Sequence, residues 1–324
     1  MVGRPDWVNF LAAQLCVNNG FGMKKIIVLL KGGLGNQLFT YATARAIAIR
    51  NDAELVLDSV SGFAHDTLYQ RTYALHDFNL HGRLASYLER KEPFGRIRRS
   101  LSRRWYRNKP LSKKRFIQQV GVTYDPNLLD LKLQNGVTYF DGFGQSEMYF
   151  EDVQDAIFND LSVQCGQQVD DVNFAKKLTK DPSSVGVHYR WFDDDSQLSN
   201  MSLDYYAKAI NEILLYVKSP TFYIFSDNPS RTKEKFGSLL TQYKHFFIGN
   251  DESFNNANRD FYLLRHCNHF IIGNSTFAWW AAWLGEYLSR ARTIVVAPAL
   301  SIDPSVSSTA WGFHGLLPAR WKKL

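Results

Sequence analysis

The chain of 324 residues is long enough for two domains, and its composition, 45% hydrophobic and 21% charged, is that of an ordinary globular protein. The three cysteines, Cys16, Cys165 and Cys267, are odd in number and far apart, which argues against a disulfide framework and a zinc site. No apolar run is nearly as long as the roughly 20 residues that are needed to cross a bilayer. The net charge of +7 comes from residues 96–115, which hold ten Lys or Arg and no acid.

Residues 1–23 are predicted to be a poorly ordered extension, and Met23 is a natural alternative start. After this extension, a β-branched run over 26–30 predicts a buried strand, the pattern over 36–50 predicts a helix, and 54–58 predicts a second strand. A strand, a helix and a strand of these lengths form the first unit of a parallel sheet.

The turn between this first strand and helix is rich in glycine and runs Gly32-Gly33-Leu34-Gly35-Asn36-Gln37. Glycines there let backbone N–H groups approach an anion at the N-terminus of the helix. The spacing is neither that of a dinucleotide-binding turn nor that of a Walker loop, although Asp58 could serve as the acid of a dinucleotide site. The turn is therefore a candidate binding element, and the alternative is a tight turn in which Asn36 caps the helix. The candidate binding residues are Gly32, Gly33, Gly35, Asn36 and Gln37.

The basic segment, residues 96–115, is predicted to include an amphipathic helix. Phe94, Ile97, Leu101 and Trp105 recur at helical spacing and would form an apolar stripe. A basic helix with such a stripe favours contact between residues 94–115 and an anionic membrane surface. A solvated loop and a contact with an acidic ligand are the alternatives. Nucleic acid is disfavoured as a partner, because no recognised nucleic-acid module accompanies the charges.

Strands and helices alternate again after residue 183, which predicts a parallel sheet with helices on both faces. The irregular polar region 160–183 is the predicted domain boundary. We therefore expect an α/β protein of two facing Rossmann-like domains with mostly parallel sheets, over 24–165 and 166–324. Strands are expected at 138–143 in the first domain, and at 184–190, 222–227, 245–249, 269–274 and 293–298 in the second.

Polar side chains follow three strands of the second series, at the edge where open α/β sheets bind ligands. An arginine placed there, such as Arg190, can neutralise a phosphate through paired hydrogen bonds. The first N–H groups of the helix after the strand at 269–274 could cradle a phosphate in the same way. The alternative is a salt bridge at Arg190 together with ordinary helix caps. The residues at the three strand ends are His188, Arg190 and Asp193, then Ser226 and Asp227, and then Asn274, Ser275, Thr276 and Phe277.

A diphosphate could also be held through a metal ion. The triplet Asp193-Asp194-Asp195 contains an acidic pair of a kind that binds Mg²⁺ or Mn²⁺ through carboxylate oxygens. However, Arg190 and the helix N-termini could neutralise the charge without it. We therefore expect no metal requirement and no other cofactor.

These motifs, in this order, resemble those of the α-1,2-fucosyltransferases of glycosyltransferase family 11. The glycine-rich turn matches the family's Gly-Gly-Leu-Gly-Asn-Gln-Leu-Phe block over residues 32–39. The resemblance covers roughly residues 24–324, and the order of the blocks makes it specific. The other matching blocks are residues 141–150, 225–227, 267–284, and 296–298 with 317–321.

The resemblance implies a GT-B fold, with the acceptor side in the first domain and the donor side in the second. The implied reaction is transfer of L-fucose, with inversion, from GDP-fucose to the 2-hydroxyl of a galactose. Arg190 would hold the GDP diphosphate, with the glycine-rich turn and the other strand-end residues around the donor. Asp193 is the first candidate for the general base, His188 is the third expected catalytic residue, and Asn36 would bind sugar.

The resemblance also implies the partners and the place of action. The acceptor would be a galactose-containing glycan, free or lipid-linked, in the synthesis of O-antigen or another bacterial surface polysaccharide. The protein would act in the cytoplasm, with peripheral contact to the inner face of the membrane.

The sequence departs from the family at one motif. The family pattern His-x-Arg-Arg-Gly-Asp is here His188-Tyr-Arg190-Trp191-Phe192-Asp193, so the second Arg and the Gly are replaced. Trp191 and Phe192 could form an aromatic wall for a sugar or could fill space. The change leaves two alternatives open: a family member with a different donor or acceptor, and a sugar-nucleotide-binding protein with weak catalysis. A nicotinamide-dependent oxidoreductase is disfavoured by the glycine spacing.

Overall fold

The computed structural model describes residues 23–64, 66–67, 70–162, 168–192, 200–249, 257–289, 292–301 and 311–324. These residues form two β-sheets in which every strand pair is parallel, and helices pack on both sheets. The expected α/β class is therefore confirmed. The extension predicted before Met23 and the candidate base Asp193 both lie outside the described residues.

The first sheet and the helices of this half are, in chain order, β1 (Lys24–Leu29), α1 (Leu34–Asn51), β2 (Glu54–Asp58), β3 (Arg83–Leu84), α2 (Gly95–Tyr106), β4 (Phe116–Gln118), β5 (Gly136–Asp141) and α3 (Gln154–Asp160). Its strand order is β3-β2-β1-β5-β4. The central strand β1 pairs with β2 and β5, so that Ile26 lies between Leu55 and Thr138. The strands predicted at 26–30, 54–58 and 138–143 and the helix predicted at 36–50 lie within two residues of the observed bounds, whereas the α-helix expected to start at residue 147 starts only at Gln154.

The second sheet and the helices of this half are, in chain order, α4 (Val169–Lys180), β6 (Ser184–Tyr189), α5 (Leu203–Leu214), β7 (Thr221–Ser226), α6 (Pro229–Leu240), β8 (Lys244–Ile248), α7 (Ala257–Leu264), β9 (His269–Ile271), α8 (Thr276–Leu288), β10 (Val295–Ala297) and β11 (Lys322–Lys323). Its strand order is β11-β10-β9-β6-β7-β8. The sheet grows outward from β6 in both directions, which is a doubly wound arrangement. No helix in the described part of the chain is long and apolar enough to cross a bilayer.

Helices α1 and α8 join the two halves of the molecule through close backbone packing. A Cβ atom on Gly35 would lie 2.3 Å from the carbonyl carbon of Thr276. Only glycine lets the two backbones approach this closely. One turn further along α1, the ring of Phe39 lies 4.5 Å from that of Trp279 and 5.0 Å from that of Trp280. All three rings are fully buried, so the core is continuous between the two sheets.

Gly35→Ala should lower the free energy of unfolding by about 3 kcal/mol, because the added methyl group must push α1 away from the backbone of α8. Gly237→Ala is the matched control, since Gly237 lies in α6 and a Cβ there meets nothing within 4 Å. The control should raise the free energy of unfolding by about 0.5–1 kcal/mol through better helix propensity. Urea unfolding measures both values, and equal stabilities of the two variants would contradict the packing.

Candidate functional site

The carboxyl ends of β6, β7 and β9 lie next to one another at the point where the strand order of the second sheet reverses. Strand β6 pairs with β7 on one side and β9 on the other, so the residues that follow these strands lie at one edge. The chain runs from β6 outward to β8 and then returns to β9, and a ligand crevice forms at such a switch point. The described polar residues at the ends of these three strands therefore lie along one edge of the sheet, and Asp193 lies outside the described residues.

Arg190 is a cation fixed at the carboxyl end of β6. Its Nη1 lies 2.5 Å from Oδ2 of Asp227, and both side chains are half-buried. The other carboxylate oxygen of Asp227 accepts a hydrogen bond from the Trp191 backbone N–H at 3.0 Å. The salt bridge considered as the alternative for Arg190 is thus present, but an arginine has five N–H donors and can bind a phosphate in addition. Asp227 orients this guanidinium, whereas its own negative charge would repel a phosphate.

His188 is buried under the crevice and is the penultimate residue of β6, two residues before Arg190. Tyr206 Oη donates to its backbone carbonyl at 2.8 Å, and its ring lies 5.3 Å from that of Phe277. Burial, with a smaller contribution from the charge of Arg190, lowers the pKa of His188 to about 3. The imidazole is therefore neutral and a weak base. We infer that it packs the floor of the crevice, in place of the catalytic role predicted for it.

The buried His188 should make stability depend on pH. A histidine whose pKa falls from 6.5 in the unfolded chain to about 3 in the folded one stabilises the fold above pH 6.5. This stability is lost as the pH drops from 6.5 toward 3, with a limiting slope of about 1.4 kcal/mol per pH unit. The slope of unfolding free energy against pH should be smaller in His188→Gln by this amount. Identical slopes for the two proteins between these pH values would show that His188 is not buried as described.

The N-termini of α1 and α8 lie side by side at the crevice. Thr276 Oγ1 donates to Asn36 Oδ1 at 3.1 Å, and Gln145 Nε2 donates to the same oxygen at 2.8 Å. Helix α1 begins two residues before Asn36 with Gly33 as its N-cap, so the alternative in which Asn36 caps the helix is wrong. Ser275, the N-cap of α8, makes no side-chain hydrogen bond to the first turn. Two helix ends with partial positive charge thus meet at one place.

Two predicted binding residues are occupied by hydrogen bonds of the chain itself. Gln37 is fully buried; its Nε2 donates to the carbonyls of Gly32 and Thr72 at 2.8 and 2.9 Å, and its Oε1 accepts from the N–H of Ala74. Ser226 is also buried and is hydrogen-bonded within the turn that starts α6. We infer that both side chains support the turns around the crevice, in place of the predicted contact with a ligand.

Trp191 fills space against helix α6. Its indole N–H donates to Thr232 Oγ1 at 2.8 Å, and its ring meets that of Tyr189 edge-on at 4.9 Å. The guanidinium carbon of Arg231 lies 3.8 Å from the Trp191 ring centre, and Lys235 Nζ lies 4.9 Å from it. This geometry supports the space-filling alternative for Trp191. A cation from α6 therefore lies beside the position at which the resembled family has its second arginine.

Two arginines beside the crevice carry no recognisable signal in the sequence. Arg231 is one, because nothing in the local pattern of α6 shows that it covers Trp191. Arg71 is the other, since it comes from an irregular loop and its guanidinium carbon would lie 4.0 Å from a Cβ on Gly33. Arg71 therefore lies beside the glycine-rich turn, and Arg231 lies beside Trp191.

Two parallel sheets whose carboxyl-end crevices meet are the arrangement of GT-B glycosyltransferases, and the chain has that fold. An Arabidopsis thaliana FUT1 variant solved in complex with GDP matches with a TM-score of 0.51 and 14% identity, over 92% of this chain and 77% of that chain. Fucosyltransferase NodZ from Bradyrhizobium matches with a TM-score of 0.48 and 17% identity, over 81% of this chain and 93% of that chain.

The model of Glycosyl transferase family 11 matches residues 25–309. The chain belongs to this family and is a glycosyltransferase, which confirms the resemblance seen in the sequence. The O-antigen biosynthesis glycosyltransferase WbnK of Escherichia coli is 28% identical to it, over 83% of this chain and 92% of that protein. An alpha-1,2-colitosyltransferase of Escherichia coli is 25% identical, over 82% of this chain and 89% of that protein.

Proposed function

We propose that the protein transfers L-fucose from GDP-fucose to the 2-hydroxyl of a galactose in a surface-glycan precursor, with inversion at the anomeric carbon. The position of Arg190 carries the proposal, since this oriented cation lies at the switch point of the second sheet. Membership of family 11 and the similarity to an O-antigen glycosyltransferase support it. In this proposal residues 166–324 bind the donor and residues 24–165 bind the acceptor.

The donor diphosphate would lie between Arg190 and the N-terminus of α8. The guanidinium can form paired hydrogen bonds to phosphate oxygens while Asp227 holds it in place. The first N–H groups of α8 and the hydroxyls of Ser275 and Thr276 would complete the cradle. Asn36 lies across from Thr276 and would contact the sugar.

In the transfer step, the bond between the anomeric carbon and the diphosphate breaks, and its electron pair stays on the β-phosphate oxygen. Arg190 and the α8 N–H groups would stabilise that added charge. The sugar passes through a state with oxocarbenium character while the acceptor oxygen forms the new bond from the opposite face. The hydroxyl proton passes to a base, for which Asp193 is the proposed residue.

Arg190→Ala should lower kcat with GDP-fucose by on the order of 10²–10³, because the leaving diphosphate loses its main counter-charge. Arg190→Lys should recover part of this loss, since lysine keeps the charge but not the paired hydrogen bonds. Lys208→Ala removes an exposed cation on α5, paired with Asp204, and serves as the matched control with unchanged activity. The assay follows acceptor-dependent release of GDP.

Thermal unfolding checks that the Arg190 variants remain folded. Full activity of a folded Arg190→Ala protein eliminates the proposed role. A wild-type protein that binds GDP-fucose but never releases GDP upon addition of galactosides would instead be a sugar-nucleotide-binding protein with weak catalysis.

We also propose that no divalent cation is required. Among the described residues no group of three or more His, Cys, Asp or Glu is arranged to hold a metal ion, and the acidic triplet 193–195 lies outside them. Arg190 and the helix N-termini would supply the positive charge instead. Turnover of GDP-fucose should be the same with and without EDTA. Inactivation by EDTA that added Mg²⁺ or Mn²⁺ reverses would show that a metal is needed.

Transfer of colitose is the second candidate function. It is favoured by the similarity to an alpha-1,2-colitosyltransferase, which extends over 82% of this chain. The altered motif at Trp191 and Phe192 lies beside the proposed diphosphate site, where it can affect the choice of donor. Comparing kcat/KM for GDP-fucose and for the corresponding colitose donor on one galactoside separates the two candidates.

A further inference from the structure

Helix α2 presents its large apolar side chains to solvent. Phe94, Ile97, Leu101 and Trp105 recur at three- and four-residue spacing and therefore lie along one side of the helix. Their exposed fractions are 69%, 59%, 63% and 69%, whereas most apolar residues of α1 and α8 are buried. The helix predicted within the basic segment is confirmed, and its apolar stripe faces outward.

Two arginines, together with the partly buried Tyr106, hold the inner side of α2. Arg99 is buried, donates to the backbone carbonyl of Arg90 and lies 3.8 Å from the Glu92 carboxylate. Arg103 donates to Asp141 at 2.9 Å. An ordinary surface helix turns its apolar stripe to the core, whereas the stripe of α2 faces water. Such an exposed apolar stripe marks a surface that meets an external apolar partner.

The outward surface around the stripe is cationic. No Asp or Glu occurs in the sequence between Glu92 and Asp125. An apolar stripe within a cationic rim complements anionic groups that lie over an apolar interior, as in the leaflet of an anionic bilayer. A second copy of this chain fits poorly, because a two-fold contact would bring these like charges together. The exposed arginines of the rim are Arg96, Arg98, Arg104 and Arg107.

The segment before α2 extends this surface. Lys91 Nζ donates to Ser102 Oγ, and Arg98 donates to the Lys91 carbonyl, so the segment is hydrogen-bonded along the helix. Two more large apolar residues, Tyr87 and Leu88, are exposed on it. We define the docking surface as Tyr87, Leu88, Phe94, Ile97, Leu101, Trp105 and the four rim arginines.

Ion pairs connect helix α2, which carries the docking surface, to the crevice of the first sheet. Asp141, the last residue of β5, binds Arg103 of α2 and also Lys31 Nζ, the latter at 2.6 Å. Lys31 follows β1 and precedes Gly32 of the glycine-rich turn. The strand order of the first sheet reverses between β1 and β5, so this ion-pair chain lies at its switch point.

We propose that the docking surface binds the anionic phospholipids of a membrane leaflet, with its apolar stripe inserted among the headgroups. The Arg103–Asp141–Lys31 chain then holds the crevice of the first sheet close to that leaflet. This second statement rests on the proposed function, because it assigns that crevice to an acceptor glycan on a lipid carrier. The membrane contact itself does not depend on the identity of the donor or the acceptor.

Co-sedimentation of the purified chain with vesicles, in the absence of any sugar nucleotide, tests the membrane contact. The chain should bind phosphatidylglycerol-containing vesicles at least about 10-fold better than pure phosphatidylcholine vesicles, and binding should weaken with added salt. The triple variant Ile97→Ser, Leu101→Ser and Trp105→Ser should lose this binding, and so should Arg96→Ala with Arg98→Ala and Arg104→Ala. Leu215→Ser, which removes an exposed apolar side chain just after α5, should bind as the wild type does.

The fluorescence of Trp105 reports insertion of the stripe. The emission should shift to shorter wavelength when anionic vesicles are added, and the shift should be absent in Trp105→Phe, which keeps an apolar side chain and still binds. Absence of vesicle binding, or equal binding by the triple serine variant, would overturn the proposal. A dimer in sedimentation analysis that the serine variant abolishes would assign the surface to a second copy of the chain instead.

Activity measurements separate this proposal from the proposed function. The triple serine variant should keep wild-type kcat on a water-soluble galactoside and lose activity on a galactoside with a lipid tail in anionic vesicles. A wild-type chain that binds vesicles but transfers no fucose would contradict the proposed function alone. Equal activity of the wild type and the variant on the lipid-linked galactoside would contradict the positioning of the first crevice.

Discussion

The packing of Gly35 on the backbone of Thr276 determines where the two sheets meet. Both residues lie in the first turns of their helices, so their contact brings two helix N-termini to one place. Each of these helices follows a central strand of its own sheet, and the carboxyl edges of both sheets therefore open toward the same space. The buried rings of Phe39, Trp279 and Trp280 stabilise this arrangement over the next turn. The close backbone contact at Gly35 therefore places both helix N-termini at the crevice.

The electrostatics of the crevice follow from which charges are paired and which groups are buried. Arg190 is oriented by its ion pair with Asp227, whereas His188 beneath it is neutral because burial lowers its pKa. The N-termini of α1 and α8 add partial positive charge. Such a surface favours the binding of an anionic group such as a phosphate.

The strands and the main crevice were predictable from the sequence because their signals are local. The apolar run of β6 ends in His188 and Arg190, and the glycine-rich turn follows β1 directly. Contacts between distant segments were not predictable, since no local pattern shows that Arg231 covers Trp191. The burial of His188 and the hydrogen bonds of Gln37 were not predictable for the same reason, because burial and hydrogen-bond partners depend on tertiary packing.

A crystal structure of the protein with GDP tests the central claim most directly. The diphosphate should lie at the carboxyl edge of the second sheet, with its oxygens within hydrogen-bonding distance of the Arg190 guanidinium and of the Thr276 and Phe277 N–H groups. A diphosphate held instead at the glycine-rich turn of the first sheet, with Arg190 bound to Asp227 and remote from the ligand, would contradict it.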